Sequence, residues 1–268
     1  MMGAEFTFRK ADLLSHRMFR RQSEKMQITD IHCHILPGID DGALNPTMSM
    51  KMASIASKCG VRTIVATSHS SREPADNHLA CEMILKGVSQ MRNALKKAGI
   101  PLELLPGMEL MANDFLDEIL FNKDYLTING SRYLLIEFDF FETPEFIGRS
   151  LESVLDAGLI PLIAHPERYK AVSEKDIERW LGLGCITQIN AGSLIGVFGT
   201  DAKDKAERYI NAGLIHIAAS DAHRDSVRST NFEHTSEKLI RLAGHDRAEL
   251  LLDINPKAIV KNSPTVLL

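Results

Sequence analysis

Cysteine is scarce in this chain and follows no pairing pattern. Cys33, Cys59, Cys81 and Cys185 are scattered over 268 residues without a C-x-x-C pair. That argues against a structural zinc held by thiolates and points to free thiols in a reducing cytoplasm. A basic surplus is also missing. The net charge is −4 and the pI is near 6.2, so the electrostatic footprint of a general nucleic-acid binder is absent. No apolar run approaches the length that crosses a bilayer, and the basic N-terminus lacks the apolar centre of a signal peptide.

With 44% hydrophobic and 25% charged residues, the composition is that of an ordinary globular chain, long enough for one large α/β domain or two small ones. Residues 1–25 read differently, as a basic extension with apolar Phe6, Phe8, Leu13, Leu14, Met18 and Phe19 between its Arg and Lys residues. An amphipathic helix over 11–21 could dock on the domain, a partner or an anionic membrane. The alternatives are a frayed extension, or a misplaced start with Met26 as the true one.

From Ile28 onward short β-rich runs alternate with helical stretches. The pattern predicts strands at Ile28–Cys33, Arg62–Ala66, Leu102–Leu105, Tyr133–Glu137, Ile160–Ala164, Cys185–Ile189 and Ile215–Ala219. Helices are expected near Pro46–Lys58, His78–Lys97, Asp114–Asn122, Pro144–Ala157, Ser173–Leu181 and Ala202–Ala212, with more helix over 232–261. Gly60, Gly99, Gly158 and Gly213 each close a helix just before the next strand. Such alternation implies a parallel sheet, and seven repeats without a linker imply a closed or nearly closed barrel. A doubly wound open sheet is the rival architecture, but it usually carries a Gly-rich phosphate loop, and none follows the first strand here.

The densest chemical signal is Asp30-Ile31-His32-Cys33-His34. Alternate strand residues share a face, so His32 and His34 project together and Cys33 the other way. In a (β/α) barrel, functional groups gather at the C-terminal strand ends. The first predicted strand delivers His32 and His34 and runs into Asp40-Asp41, and the second ends in Thr67-Ser68-His69. Glu109 follows the third strand, Glu137 ends the fourth, and His165 ends the fifth with Glu167 and Arg168 behind it. The sixth runs into Asn190, the seventh into Asp221 and His223.

Six of seven strand ends thus carry a His, Glu or Asp, which predicts a multinuclear metal site at one barrel mouth. Imidazole and carboxylate without thiolate suit Mn, Fe, Zn or Co. Three divalent ions against four carboxylates and a bridging hydroxide would leave positive charge for a phosphate dianion. His16, His78, His216, His234 and His245 lie off this pattern and read as surface or core residues.

The stretch 30–43 (DIHCHILPGIDDGA) resembles the opening of the PHP (polymerase and histidinol phosphatase) superfamily. Further motifs lie at 105–109, 135–138, 163–168, 188–199, 219–223 and 255–259. With them, the chain is similar to the bacterial metal-dependent protein tyrosine phosphatases of capsule and exopolysaccharide systems, the CpsB/YwqE type. The resemblance implies a distorted TIM-like (β/α)7 barrel of the PHP fold, with residues 26–268 as a single catalytic domain in the cytoplasm. It also implies three divalent ions, Mn first, with Fe, Zn, Co or Mg as substitutes.

By that resemblance His32, His34, Glu109 and Asp221 hold one ion, and Glu109 bridges to a second held by Glu137 and His165. His69, His223 and an aspartate of the 40–41 pair hold the third, Asp41 by motif register. Arg168 and Arg228 match phosphate-binding catalytic positions, Arg224 being the competitor of Arg228, and Asn190 joins them in binding substrate. Thr67-Ser68-His69 departs from the Thr-Pro-His of relatives but keeps the ligand.

The implied reaction is hydrolysis of phosphotyrosine by a metal-bound hydroxide attacking in line, without a phosphoenzyme. The implied partner is an autophosphorylating bacterial tyrosine kinase. A cysteine-dependent tyrosine phosphatase is excluded. Its loop needs Arg six residues after Cys, and those positions hold Ile39, Val65, Gly87 and Ala191. Histidinol-phosphate hydrolysis and other phosphoesterase chemistry remain rivals within the metal class. A non-catalytic metal-binding regulator is the rival outside it.

Overall fold

Strand β1 (Ile28–Cys33) is buried at all six residues, as a parallel strand covered on both faces must be. It opens the computed structural model, which describes residues 26–71 and 73–267. The helix expected over 11–21 lies outside the described residues. β2 (Val61–Ala66), β3 (Glu103–Pro106), β4 (Glu109–Met111), β5 (Tyr133–Glu137), β6 (Ile160–Ala164), β7 (Ile186–Asn190) and β8 (Ile217–Ala219) follow. All pair in parallel, as one sheet β1-β2-β3 and another β4-β5-β6-β7-β8.

Helices run between the strands. They are α1 (Pro46–Lys58), α2 (Pro74–Ala98), α3 (Leu116–Asn122), α4 (Pro144–Asp156), α5 (Glu174–Gly182) and α6 (Thr200–Asn211). After β8 come α7 (Glu233–Ala243), α8 (His245–Glu249), a π-helical turn at Leu250–Ile254 and α9 (Asn255–Val260). The helix starts follow from capping chemistry. Asn45 accepts the Met48 N–H ahead of Pro46, Thr143 accepts the Phe146 N–H ahead of Pro144, and Ser173 and Asp176 form a capping box. Gly60, Gly99, Gly158 and Gly213 all take positive φ, as their positions at helix ends predict. None of the described helices is long and apolar enough to cross a membrane.

The two sheets are sewn into a ring at their C-terminal ends. On one side Cys33 bridges Ala222, with Asp221 N–H donating to His32 O at 2.8 Å and His34 N–H to Ala222 O at 2.9 Å. On the other, His69 bridges Glu109, with Ser70 N–H donating to Glu109 O at 2.9 Å. Both seams are built from candidate site residues, so closing the barrel and assembling the site are the same event.

The third barrel position is split, which the sequence pattern does not predict: Glu109 opens a strand of its own, β4, instead of ending a loop after β3. Gly107 lies in the gap between the two strands, where a Cβ would stand 2.8 Å from Val65 Cγ1. α2 starts at Pro74, four residues before the expected His78, and β8 is shorter than expected, starting at Ile217.

Strand alternation sorts the two faces. Ile64, Leu134, Ile136, Ile163, Ile189 and Ala218 pack in the larger core beneath the helices. Val65, Leu135, Leu162, Ala164, Ile186 and Ile217 form the smaller core of the barrel interior. Two residues beyond Leu135 the interior position is Glu137, and two beyond Ile186 it is Gln188. In β1 the pairing slips between Asp30 and Cys33, so that three steps oppose two on β2. Such a bulge re-aims side chains. Ile31 lies in the interior core and Cys33 in the outer one.

Candidate metal centre

Alternation and the two seams bring the predicted residues to one mouth. His32 Nε2 and His34 Nε2 lie 3.3 Å apart. Each is 3.1 Å from Glu109 Oε2 and 3.5 Å from Asp221 Oδ1. His69 Nδ1 lies 3.2 Å from the same Glu109 oxygen and 2.7 Å from Glu137 Oε1. His165 Nε2 is 3.0 Å from Glu109 Oε1 and 3.8 Å from Glu137 Oε2. Asp41 Oδ1 faces His69 Nε2 at 3.4 Å and His223 Nε2 at 3.2 Å.

Donor atoms fall into three groups, each within 4.8 Å, that could hold an ion: His32-His34-Glu109-Asp221, His34-Asp41-His69-His223 and His69-Glu109-Glu137. The first is the expected quartet. His34 and His69 stand between groups, and His165 joins the third through Glu109.

The residues fit cations. Two buried imidazole nitrogens facing each other at 3.3 Å beside a carboxylate are lone pairs converging on a point. His165 Nδ1 is buried without a hydrogen-bond partner. Buried carboxylates at this density demand positive charge, and in the metal-free chain protons supply it. Burial opposes a proton on His34, yet hydrogen bonds to Asp40 and Glu109 push its pKa up to about 9. His69 rises to about 12, burial again being outweighed by Asp41 and Glu137. His69, through its hydrogen bond, holds Asp41 down at about 2 despite burial. Burial and the neighbouring His34 charge push His223 down to about 3.

Around the ligand atoms lies a scaffold. Asp40 Oδ2 meets His34 Nδ1 at 2.8 Å and accepts the His69 N–H at 3.0 Å, and Oδ1 accepts the Gly42 N–H at 2.9 Å. Asp40 therefore orients ligands while Asp41 faces them. Gln188 Oε1 lies 2.9 Å from His32 Nδ1. Asn190 does not reach the cavity. It is buried, donates from Nδ2 to Asp221 Oδ2 at 2.6 Å and accepts from Gln188 Nε2 at 2.9 Å, so its geometry suits holding Asp221 rather than binding substrate. His165 and Asp221 themselves sit at φ of 32° and 49°, strained values for non-glycine residues.

A cavity of about 490 Å³ opens above the cluster, lined by Asp41, His69, Glu137, Phe140, Arg168 and Arg228 among others. Arg168 Nη1 is 3.3 Å from Asp221 Oδ2 and Arg228 Nη2 is 2.9 Å from Asp221 Oδ1. Arg224 points elsewhere, donating to the carbonyls of Asp41, Gly42 and His223. Of the two candidates, Arg228 is the one at the cavity.

Sequence reasoning missed Asp40 as a support, Phe140 and Phe198 as ring partners of Arg168, and buried Glu167. Glu167 Oε1 accepts from Asn190 N–H at 2.9 Å and Ser193 Oγ at 2.7 Å, tying the turn before Arg168 to the loop after β7. Its place between His165-Pro166 and Arg168 was the available signal. The five off-pattern histidines stay off the site where described. His78, His234 and His245 are exposed, and His216 is buried beside Thr187.

A parallel barrel with imidazoles, carboxylates and two guanidinia at its C-terminal mouth has the architecture of a metallohydrolase-type barrel protein. Residues 28–261 match the family described as "Capsular polysaccharide synthesis, CpsB/CapC", and the chain belongs to that family. It is 37% identical to the tyrosine-protein phosphatase YwqE of Bacillus subtilis (strain 168) over 237 residues, 87% of this chain and 91% of that one. Tyrosine-protein phosphatase CpsB of Streptococcus pneumoniae is 32% identical over 238 residues, 86% of this chain and 97% of that one. A solved structure described as "Crystal structures of YwqE from Bacillus subtilis and CpsB from Streptococcus pneumoniae, unique metal-dependent tyrosine phosphatases" aligns with a TM-score of 0.81 at 33% identity. It covers 90% of this chain and 97% of its own.

Proposed function

We propose that this chain is a metal-dependent protein tyrosine phosphatase that regulates capsular or exopolysaccharide synthesis. One observation carries the reading: the Glu109 carboxylate lies within 3.2 Å of the ring nitrogens of His32, His34, His69 and His165 beneath a cavity edged by Arg168 and Arg228. Family membership and the names of the relatives support the activity.

In this reading His32, His34, Glu109 and Asp221 would hold one ion, and Glu109, Glu137 and His165 a second. Asp41, His69 and His223 would hold the third. Mn is the first choice, with Fe, Zn, Co or Mg able to replace it. When bound, such ions acidify water and neutralise phosphoryl oxygens. Arg168 and Arg228 turn from Asp221 to the phosphate, where a guanidinium fork matches two oxygens. Phe140, at the cavity wall, offers a face to the phenyl ring of the substrate. A phenolate with a pKa of about 10 leaves without an obligatory acid, unlike a serine alkoxide.

Residues 26–268 act as one catalytic barrel. Four free cysteines suit the reducing cytoplasm. The natural substrate is a phosphotyrosine protein, an autophosphorylating bacterial tyrosine kinase being the candidate.

The test is hydrolysis of p-nitrophenyl phosphate, a phosphotyrosine peptide and histidinol phosphate after chelation and re-addition of Mn²⁺, Zn²⁺ or Mg²⁺. Metal-restored turnover confined to the aryl phosphates is expected. Preference for histidinol phosphate would reassign the enzyme, and silence with every metal would leave a binding protein.

A further inference from the structure

Arg168 presents its guanidinium to the cavity, yet both of its chain neighbours are anchored in the interior. Its side chain is 18% exposed, while Glu167 and Tyr169 are fully buried. The Tyr169 hydroxyl accepts the Phe138 N–H at 3.2 Å, and its carbonyl accepts from Lys205 Nζ at 2.8 Å. Those bonds tie the chain after Arg168 to the residue following β5 and to α6.

Glu167 ties the chain before Arg168 to a different segment. Its Oε1 accepts from the Asn190 N–H at 2.9 Å and from Ser193 Oγ at 2.7 Å. Both donors lie at the end of β7, where a 3₁₀ turn spans Ala191–Ile195. The other oxygen, Oε2, is buried without a hydrogen-bond partner, so the carboxylate acts through Oε1.

The turn that Glu167 holds also supports Phe198. Val197 N–H donates to Gly192 O at 3.0 Å, and a Cβ on Gly192 would stand 3.2 Å from Phe198 Cε2. The same ring lies 4.6 Å from the Arg168 guanidinium. One carboxylate oxygen therefore joins the base of Arg168 to the support of its charged end. The contacts close on themselves, from Glu167 to Ser193, through Gly192 to Phe198, and back to Arg168. A second branch runs through Asn190, whose Nδ2 meets Asp221 Oδ2 at 2.6 Å, the oxygen that Arg168 Nη1 reaches at 3.3 Å.

A guanidinium fork matches two phosphate oxygens only in a narrow range of directions, which the residues behind it must fix. Glu167 is fully buried and cannot touch substrate itself. We infer that Glu167 is a positioning residue for phosphate binding: its Oε1 sets Arg168 against Phe198 and so aims the guanidinium into the cavity. The inference rests on the phosphatase reading and goes beyond it by giving a role to a residue outside the metal cluster.

The experiment measures inorganic phosphate binding by calorimetry and p-nitrophenyl phosphate kinetics, with every protein loaded with the same metal. The variants are Glu167→Ala, Glu167→Gln, Ser193→Ala and Arg168→Ala. In Glu167→Ala the phosphate Kd and the KM should both rise about tenfold, the scale of hydrogen bonds to a charged group. Its kcat and bound metal should hardly change, as for a loss of ground-state binding. Ser193→Ala removes one donor and should show the same pattern at about threefold. Glu167→Gln keeps an acceptor in the place of Oε1 and should recover most of the loss.

Adding Glu167→Ala or Ser193→Ala to Arg168→Ala should weaken phosphate binding no further, because the effect passes through Arg168. A lowered Tm with an unchanged phosphate Kd overturns the inference, and so does an equal loss with and without Arg168. Loss of metal from Glu167→Ala also overturns it, since Glu167 would then act through Asn190 and Asp221 on the cluster. Should Glu167→Ala not fold, Ser193→Ala, alone and on Arg168→Ala, decides by the same criteria. A wild type that hydrolyses no p-nitrophenyl phosphate with any divalent ion sinks the phosphatase reading, while phosphate binding still decides the role of Glu167. A wild type that binds no phosphate overturns both.

Discussion

His34 Nδ1 lies 2.8 Å from Asp40 Oδ2, which turns the opposite ring nitrogen, Nε2, toward Glu109 at 3.1 Å. The next residue, Asp41, faces His69 and His223 instead. Two consecutive aspartates thus have different duties, one orienting an imidazole and the other available as a ligand. Asp40→Asn should weaken metal affinity about 10- to 100-fold, the cost usual for losing a carboxylate behind a ligating histidine. Excess metal should restore its turnover. Asp41→Asn should lose an ion that excess metal does not restore. Metal titration by calorimetry, with elemental analysis of the dialysed proteins, checks both.

Gly42 lets the Asp40–Asp41 loop lie on β1. A Cβ at this position would stand 2.3 Å from His34 O and 2.5 Å from His34 Cβ. Gly42→Ala must therefore displace the loop, with a destabilisation of about 1–3 kcal/mol typical of overpacking. Thermal unfolding should show a lowered Tm, and metal content should fall with it.

Protonated His34 makes the metal-free chain sensitive to alkali. Burial disfavours its charge, but Asp40 and Glu109 outweigh burial and raise its pKa to about 9. A folded pKa above the unfolded value of about 6.5 contributes stability that is complete below about pH 6.5 and is lost as pH rises through about 9. The urea midpoint of chelated protein should drop across that window. The drop should shrink in Asp40→Asn, which removes the partner, and in metal-loaded wild type, where cations replace the protons.

Phe198 underlies both guanidinia. Cation–π contacts at partly exposed sites are worth about 0.5–1 kcal/mol each, so Phe198→Ala should raise KM for aryl phosphate and weaken inhibition by inorganic phosphate by roughly fivefold. Metal content should stay unchanged. Phe198→Tyr should behave as wild type. Loss of bound metal in Phe198→Ala would show that the ring supports the cluster rather than the arginines.

Much of the barrel was legible because it depends on local pattern. β1, β5, β6 and α1 begin and end where periodicity and capping residues predict. The ligand candidates were legible because each stands at the end of an apolar run. The split between β3 and β4 was not: at Gly107, in the gap, the backbone packs against Val65, more than forty residues away in sequence. Asp40 and Asp41 are adjacent acids in one loop, and only His34 and His69 on two other segments tell them apart. Arg224 and Arg228 are likewise distinguished by what they reach, backbone carbonyls for one and Asp221 for the other. The family resemblance implied a substrate contact for Asn190, whereas here Asp221 and Gln188 occupy its amide.

Glu109 is the residue on which the account turns, because its two oxygens reach four imidazoles. The most direct measurement is metal content and p-nitrophenyl phosphate turnover of Glu109→Ala beside wild type, with circular dichroism on both. The account predicts a folded variant that has lost bound metal and turnover together. A folded Glu109→Ala protein with wild-type turnover would contradict it.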